Sequence, residues 1–213
     1  MIAPEVDPVG EVIGRLEART DAEGDTMKAV VRAGGPLALR AAAGRFVLPG
    51  GPDVGRLLGL LVRCLHARRI LEIGGSVGYS TIWLAEAARA TAGTVDSIEC
   101  DAGKVAEQHD NLVAAGLRAQ VRQLPRPSDV VLASLPGPYD LVLIDHWKEH
   151  YVRDFDLVWP KVRRGGLVIA DNVLSPPFTA QEAADYVHHV RARDDTWSFT
   201  VPIGDGIEIT YRN

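Results

Sequence analysis

The sequence has only two cysteines in 213 residues, Cys64 and Cys100, and neither stands at metal-ligand spacing. Two reduced thiols are expected, with no disulfide framework. The six histidines carry no expectation of a zinc site. No run approaches the ~20 apolar residues of a membrane span. No long Lys/Arg run exists either, and the net charge is -5. The densest basic stretches are "HARRI" (66–70) and "KVRRGG" (161–166), read as solvated helix ends beside strands. A protein that grips nucleic acid through phosphates normally carries a basic face, so no nucleic-acid partner and no membrane partner are expected. The opening "MIAPEVDPVGEVIG" has early acids and no long apolar core, so it does not read as a signal peptide, and a cytoplasmic location is expected. Internal repeats and low-complexity segments are absent.

What is present is an ordinary globular composition, 46% hydrophobic and 24% charged. The length suits one domain with a substantial core. Val9, Ile13 and Leu16, then Met27, Val30 and Val31, recur at helical spacing over residues 5–33, with "TDAEGD" breaking the two pieces apart. Residues 32–52, rich in Gly, Pro and Ala, read as a loop across a surface with room for a short turn of helix. Asp53 is a candidate N-cap for a helix to about Ala67 with Leu57, Leu58, Leu61 and Leu65 on its buried face. From Arg69 strands and helices alternate, through "RILEIGG", "GTVDSIEC", "AQVRQL", "YDLVLID" and "GGLVIAD", and the chain closes on two strands around a Gly-Asp-Gly turn. Alternation of this kind predicts an α/β, doubly wound Rossmann-like sheet, mostly parallel, with an antiparallel strand at one edge. The expected organisation is a single domain over 1–213, with N-terminal helices and a cap loop (1–52) on a core (53–213).

In such sheets ligands sit outside the carboxyl ends of the strands. The first exit is "LEIGGSVGYST", where Gly74, Gly75 and Gly78 permit tight turning and Ser80 opens a helix. The second exit is Glu99, 25 residues after Gly74, where a carboxylate can accept the hydroxyls of a ribose. The G-G-x-x-G spacing departs from the dinucleotide fingerprint, and Glu72 suits a cationic ligand. S-adenosylmethionine, with its ammonium, carboxylate, sulfonium and ribose, fits that set better than a nicotinamide dinucleotide.

The fourth strand leads into "DHWKEHY" and the fifth into "ADN". Either aspartate alone would serve as a helix cap. Asp145 together with Asp171 and Asn172 makes a hard, all-oxygen set that suits Mg²⁺. Lys148, three residues on from Asp145, hangs over the same cleft, where a lysine partly out of water can take a proton. Trp147 is a candidate wall for a flat aromatic substrate; His146 would pack on the cofactor or satisfy the loop.

The pieces "LVLIDHWKEHY" and "GGLVIADNVLSPP", together with "LEIGGSVGYST" and "DGIE", strongly resemble the catechol O-methyltransferase family from about Arg69 to the end. The resemblance implies Asp145, Asp171 and Asn172 as Mg²⁺ ligands and Lys148 as general base. It implies Glu99 on the cofactor ribose and Ser80 on its methionine carboxylate. The cofactor lining it implies runs through Glu72, Gly74, Gly75, Ser76, Gly78, Tyr79, Cys100, Ser128, Asp145, His146 and Trp147. The substrate would meet Trp147, Lys148, Asn172, Pro176 and Phe199. Two departures stand out: Phe199 occupies the place of a family glutamate that helps to hold a substrate hydroxyl, and "LPRPSD" (124–129) replaces the family's Gly-x-Ser-Gln-Asp pattern. What the resemblance implies is Mg²⁺-dependent methyl transfer from S-adenosylmethionine to a small catechol-like phenol. A metal-independent methyltransferase and a non-catalytic cofactor-binding protein are the competing expectations. The N-terminal region would close over the cleft or pack on a second copy of the chain.

Overall fold

The computed structural model describes residues 7–213. The start of the expected first helix, residues 5 and 6, lies outside the described residues. Five parallel strands follow the sequence reading: β1 (Arg69–Ile73), β2 (Thr94–Ile98), β3 (Val121–Leu124), β4 (Tyr139–Ile144) and β5 (Val162–Ala170). The closing hairpin adds β6 (Thr196–Val201) and β7 (Ile207–Arg212). The sheet runs β3-β2-β1-β4-β5-β7-β6. The closing hairpin forms one edge of the sheet through antiparallel pairing, as expected, with β7 between β5 and β6. The second arm of the hairpin pairs with β5, which leaves the first arm, β6, outermost.

Between β1 and β4 the strand order reverses, and a cleft opens outside the strand ends at such a point. Helices cover both faces. On one face α1 (Pro8–Ala42), α2 (Pro52–Cys64), α3 (Tyr79–Ala90) and α4 (Ala102–Ala114) bury Leu16, Leu58, Ile82 and Leu112. On the other, α5 (Ser128–Ser134), α6 (Tyr151–Val158) and α7 (Ala180–Arg191) bury Leu132, Phe155 and Tyr186. β1 and β4 lie between the two layers, and their near-continuous apolar sequence follows from being covered on both sides.

The N-terminal third corrects three expectations. "TDAEGD" does not break the helix: α1 runs through it, and Glu23 within it accepts the Val47 N–H at 2.9 Å. A mid-helix glycine costs only about 1 kcal/mol, which long-range bonds such as this one offset. The expected loop from residue 32 is helical as far as Ala42, bent at Gly35 (φ 64°, ψ -157°), because the Ala-rich "LALRAAA" after Pro36 resumes the helix. Asp53 does not cap α2; the helix opens on Pro52 after Gly51, and Asp53 lies exposed in its first turn beside Arg56. The basic stretches also differ from expectation. Arg69 lies in β1 and Arg163 in β5, where the Arg163 guanidinium bonds Asp140 at 2.5 Å.

Candidate active site

At the first exit, Gly74 (φ +102°) passes so close to β4 that a Cβ there would stand 2.0 Å from the Asp145 carbonyl oxygen. Only glycine suits both the left-handed backbone and the space. Glu72, in β1, is fully buried. Its carboxylate accepts from Ser80 Oγ at 2.7 Å, Thr81 Oγ1 at 2.6 Å and Ser97 Oγ at 2.5 Å. Burial raises the Glu72 carboxyl despite those hydroxyls. It therefore holds the start of α3 and the glycine turn in place, and does not present an open carboxylate to a cation as the sequence suggested. The Tyr79 hydroxyl is likewise engaged, donating to Glu17 of α1 at 2.7 Å. Ser80 lines a small cavity with Gly50, Gly51, Asp145 and Asp171.

Glu99 closes the second exit. Its Oε2 accepts the Ser76 N–H at 2.9 Å, and its Oε1 accepts the N–H groups of Cys100 at 2.7 Å and Asp101 at 2.8 Å. Three backbone N–H groups thus fix one half-exposed carboxylate beside the glycine turn.

β4 and β5 bring the second set together. The Asp145 N–H bonds the Ile73 carbonyl at 2.9 Å, and the Asp171 N–H bonds that of Ile144 at 3.1 Å, so both aspartates leave the sheet at neighbouring ends. Asn172 stands at φ 57°, a left-handed position that asparagine tolerates. Lys148 is buried, and its Nζ donates to Tyr151 Oη at 2.7 Å, Asn172 Oδ1 at 3.0 Å and the His146 carbonyl at 3.3 Å. Tyr151 in turn donates to the Asp171 carbonyl at 3.1 Å. Burial lowers the Lys148 ammonium against the pull of Asp145, Asp171 and Asp205. Burial raises the Asp145 carboxyl. Burial and repulsion from Asp145 push Asp171 up to about 7. Two crowded carboxylates with an adjacent amide oxygen form a set that a divalent cation would relieve, so the residues fit the group. Among the described residues no three or more His, Cys, Asp or Glu side chains gather as a metal cluster.

His146 and His150 stand four residues apart in "HWKEH", but on a strand exit, with ring centroids 5.9 Å apart. His146 turns instead to Asp154 of α6, with Nε2 and Oδ2 at 2.7 Å, and stacks on Tyr151. Burial alone would raise the Asp154 carboxyl; hydrogen bonds from His146, Arg153 and Ser128 outweigh it and hold it down to about 2. Ser128 joins this group through Arg153 Nη2 at 3.1 Å. Trp147 carries the Arg40 guanidinium 5.0 Å above its ring, and Arg40 also pairs with Glu149. Pro176 is half-buried beyond the β5 exit. Phe199 is not brought to this group. It is 62% exposed on the outer strand β6, level with Ile209 of β7 and, through it, with Ile169 of β5.

Several residues were not singled out from sequence. Gly50 packs against Asp171, where a Cβ would meet Oδ2 at 2.5 Å. Arg40, Tyr151, Asp154 and Asp205 also reach the site. Tyr151 and Asp154 carried a usable signal, since they follow Lys148 at helical spacing on α6. Arg40 and Gly50 lie in the segment that read as a loop.

Residues 71–173 match the family profile described as "Methyltransferase domain". A catechol O-methyltransferase of Niastella koreensis is 35% identical over 138 residues, covering 63% of this chain and 62% of that one. The catechol O-methyltransferase of Mycobacterium tuberculosis is 38% identical over 121 residues, covering 56% and 54%. The chain thus spans little more than half the length of these curated relatives. Among solved structures, cofactor-bound Rv0187 from MTB is 26% identical with a TM-score of 0.74, covering 91% of this chain and 97% of that one. The fold is that of the class I O-methyltransferases among its structural neighbours. Within that class its sequence relatives are the catechol O-methyltransferases.

Proposed function

We propose that this chain transfers a methyl group from S-adenosylmethionine to one oxygen of a small catechol-like phenol, with a divalent cation, Mg²⁺ by donor chemistry, at Asp145, Asp171 and Asn172. The observation that carries the reading is the contact of Lys148 Nζ with Asn172 Oδ1 at 3.0 Å. It puts a buried lysine against a candidate metal donor, next to two carboxylates. Binding a nucleoside alone would need none of these four groups. The names of the sequence relatives and the cofactor-bound structural relative support the same reading.

A tyrosine-like phenol has a pKa near 10, so only about 0.1% is ionised at neutral pH. When bound, the cation would favour the phenolate and hold two adjacent oxygens, and S-adenosylmethionine would supply the methyl group. The chain's own part is positioning and proton removal. Glu99 holds the ribose and Ser80 the methionine carboxylate. Lys148, destabilised as an ammonium by burial, takes the hydroxyl proton. Tyr151 Oη and Asn172 Oδ1 fix the lysine's direction. Trp147 and Pro176 wall the ring.

Methyl transfer from labelled S-adenosylmethionine to a panel of catechols and single phenols, with Mg²⁺ and with EDTA, tests the proposal. Metal-dependent transfer restricted to vicinal diols is the expected result. Transfer that persists in excess EDTA would replace it with a metal-independent methyltransferase.

A further inference from the structure

Lys104 takes no part in the chemistry above, yet its setting is unusual. It lies in the first turn of α4, where the helix dipole disfavours a cation, and its own N–H bonds the N-cap Asp101 at 3.0 Å. The side chain is only 8% exposed. Among the described residues its ammonium makes one hydrogen bond, to Ser76 Oγ at 3.0 Å. An ammonium has three N–H donors, and a buried donor left unmet is costly. Burial lowers its pKa, opposed by Glu99, Asp101 and Asp145.

Ser76 joins this lysine to Glu99: its hydroxyl takes the Lys104 N–H and its backbone N–H goes to Glu99 Oε2. Ammonium and carboxylate flank the same residue without closing on each other. Glu99 is itself nearly saturated. A carboxylate offers about four acceptor sites, and backbone N–H groups of Ser76, Cys100 and Asp101 fill three of them. One site is left, enough for one ribose hydroxyl and not for two. A hydroxyl also accepts, and the Lys104 ammonium, joined to Glu99 through Ser76, has donors to spare.

We infer that Lys104 is a second ribose-recognising residue, sharing the nucleoside diol with Glu99: one hydroxyl donates to Glu99, and the diol oxygens accept from the Lys104 ammonium. This rests on the cofactor reading given above. It assigns this lysine a binding role, and it explains why a cation with donors to spare is kept in a buried helix turn.

Calorimetric titration with S-adenosylhomocysteine, and with its 2′-deoxy and 3′-deoxy forms, separates the possibilities without any turnover. K104M is expected to bind S-adenosylhomocysteine about tenfold to a hundredfold more weakly, the range of a hydrogen bond to a charged group. The preference for ribose over deoxyribose ligands should shrink in K104M, and K104Q, which keeps an N–H donor, should fall between. The ligand-free melting temperature of K104M should be no lower than that of the unaltered chain, since a buried charge without a carboxylate partner is lost. Unchanged affinity in K104M, or an equal loss for ribose and deoxyribose ligands, would overturn the inference alone. No binding of S-adenosylhomocysteine by the unaltered chain would overturn the cofactor reading and this inference together.

Discussion

The Lys148 ammonium and the Asn172 amide oxygen stand 3.0 Å apart, so the candidate base and a candidate metal donor are in direct contact. Proton removal and metal holding are therefore separable only by mutation. Lys148→Ala is expected to lower turnover by about a hundredfold or more. Affinity for S-adenosylhomocysteine, measured by calorimetry, should stay within about twofold, since Lys148 faces the strand-end carboxylates and not Glu99 or Ser80. Near-normal turnover would remove Lys148 from its role.

Metal binding has a readout apart from activity. Mg²⁺ should raise the melting temperature of the chain, because a ligand that binds only the folded state stabilises it. D171N keeps the shape of the side chain and removes its charge, and should abolish that rise. An equal rise in D171N would place the cation elsewhere.

Gly74 and Gly116 give a matched pair. Both hold positive φ, +102° and +67°, but a Cβ at Gly74 would strike the Asp145 carbonyl while at Gly116 nothing lies within 4 Å. Gly116→Ala should lose only the left-handed backbone penalty, about 1–2 kcal/mol. Gly74→Ala should lose clearly more in urea unfolding and should weaken cofactor binding as well. Equal losses would mean that the β1–β4 approach yields freely.

Asp154 sets a pH dependence of stability. Its folded carboxyl is held down to about 2, against an ordinary 3.8. A depressed carboxyl stabilises the fold above its unfolded value, and that contribution fades as pH falls from about 4 through 2. At neutral pH Asp154→Asn should cost about 2 kcal/mol by the same linkage. The gap between the two proteins should narrow steadily in acid. A gap that is flat between pH 5 and pH 2.5 would show that the hydrogen bonds to His146 and Arg153 work equally well with a neutral partner.

The five parallel strands, the closing hairpin and the strand-end residues were legible because alternating apolar runs and glycine exits are local signals. Asp145, Asp171 and Asn172 could be paired in advance because neighbouring parallel strands end on one edge. Glu72 was misread for a physical reason: sequence gives a carboxylate its place on a strand but not the three hydroxyls that surround it. Phe199 was placed by resemblance to a family glutamate, and a likeness in sequence does not reveal which arm of a hairpin pairs inward. Lys104 and Arg40 were invisible because burial and cation–aromatic contact are long-range. The kink at Gly35 was invisible for another reason: Gly-Gly-Pro is a local signal for a helix boundary, and here the helix resumes after it.

The bent end of α1 carries Arg40 onto Trp147, and the turn that follows it lays Gly50 against Asp171. Both contacts come from residues ahead of the stretch, 71–173, that matches the methyltransferase profile. Residues outside the matched stretch thus line the same cleft as the strand-end groups. Two such proteins could share every strand-end residue and still differ in the molecules they admit, if their first fifty residues diverged. Under the proposed function, grafting residues 7–51 of this chain onto a relative's core should change which acceptors are taken more than it changes cofactor binding.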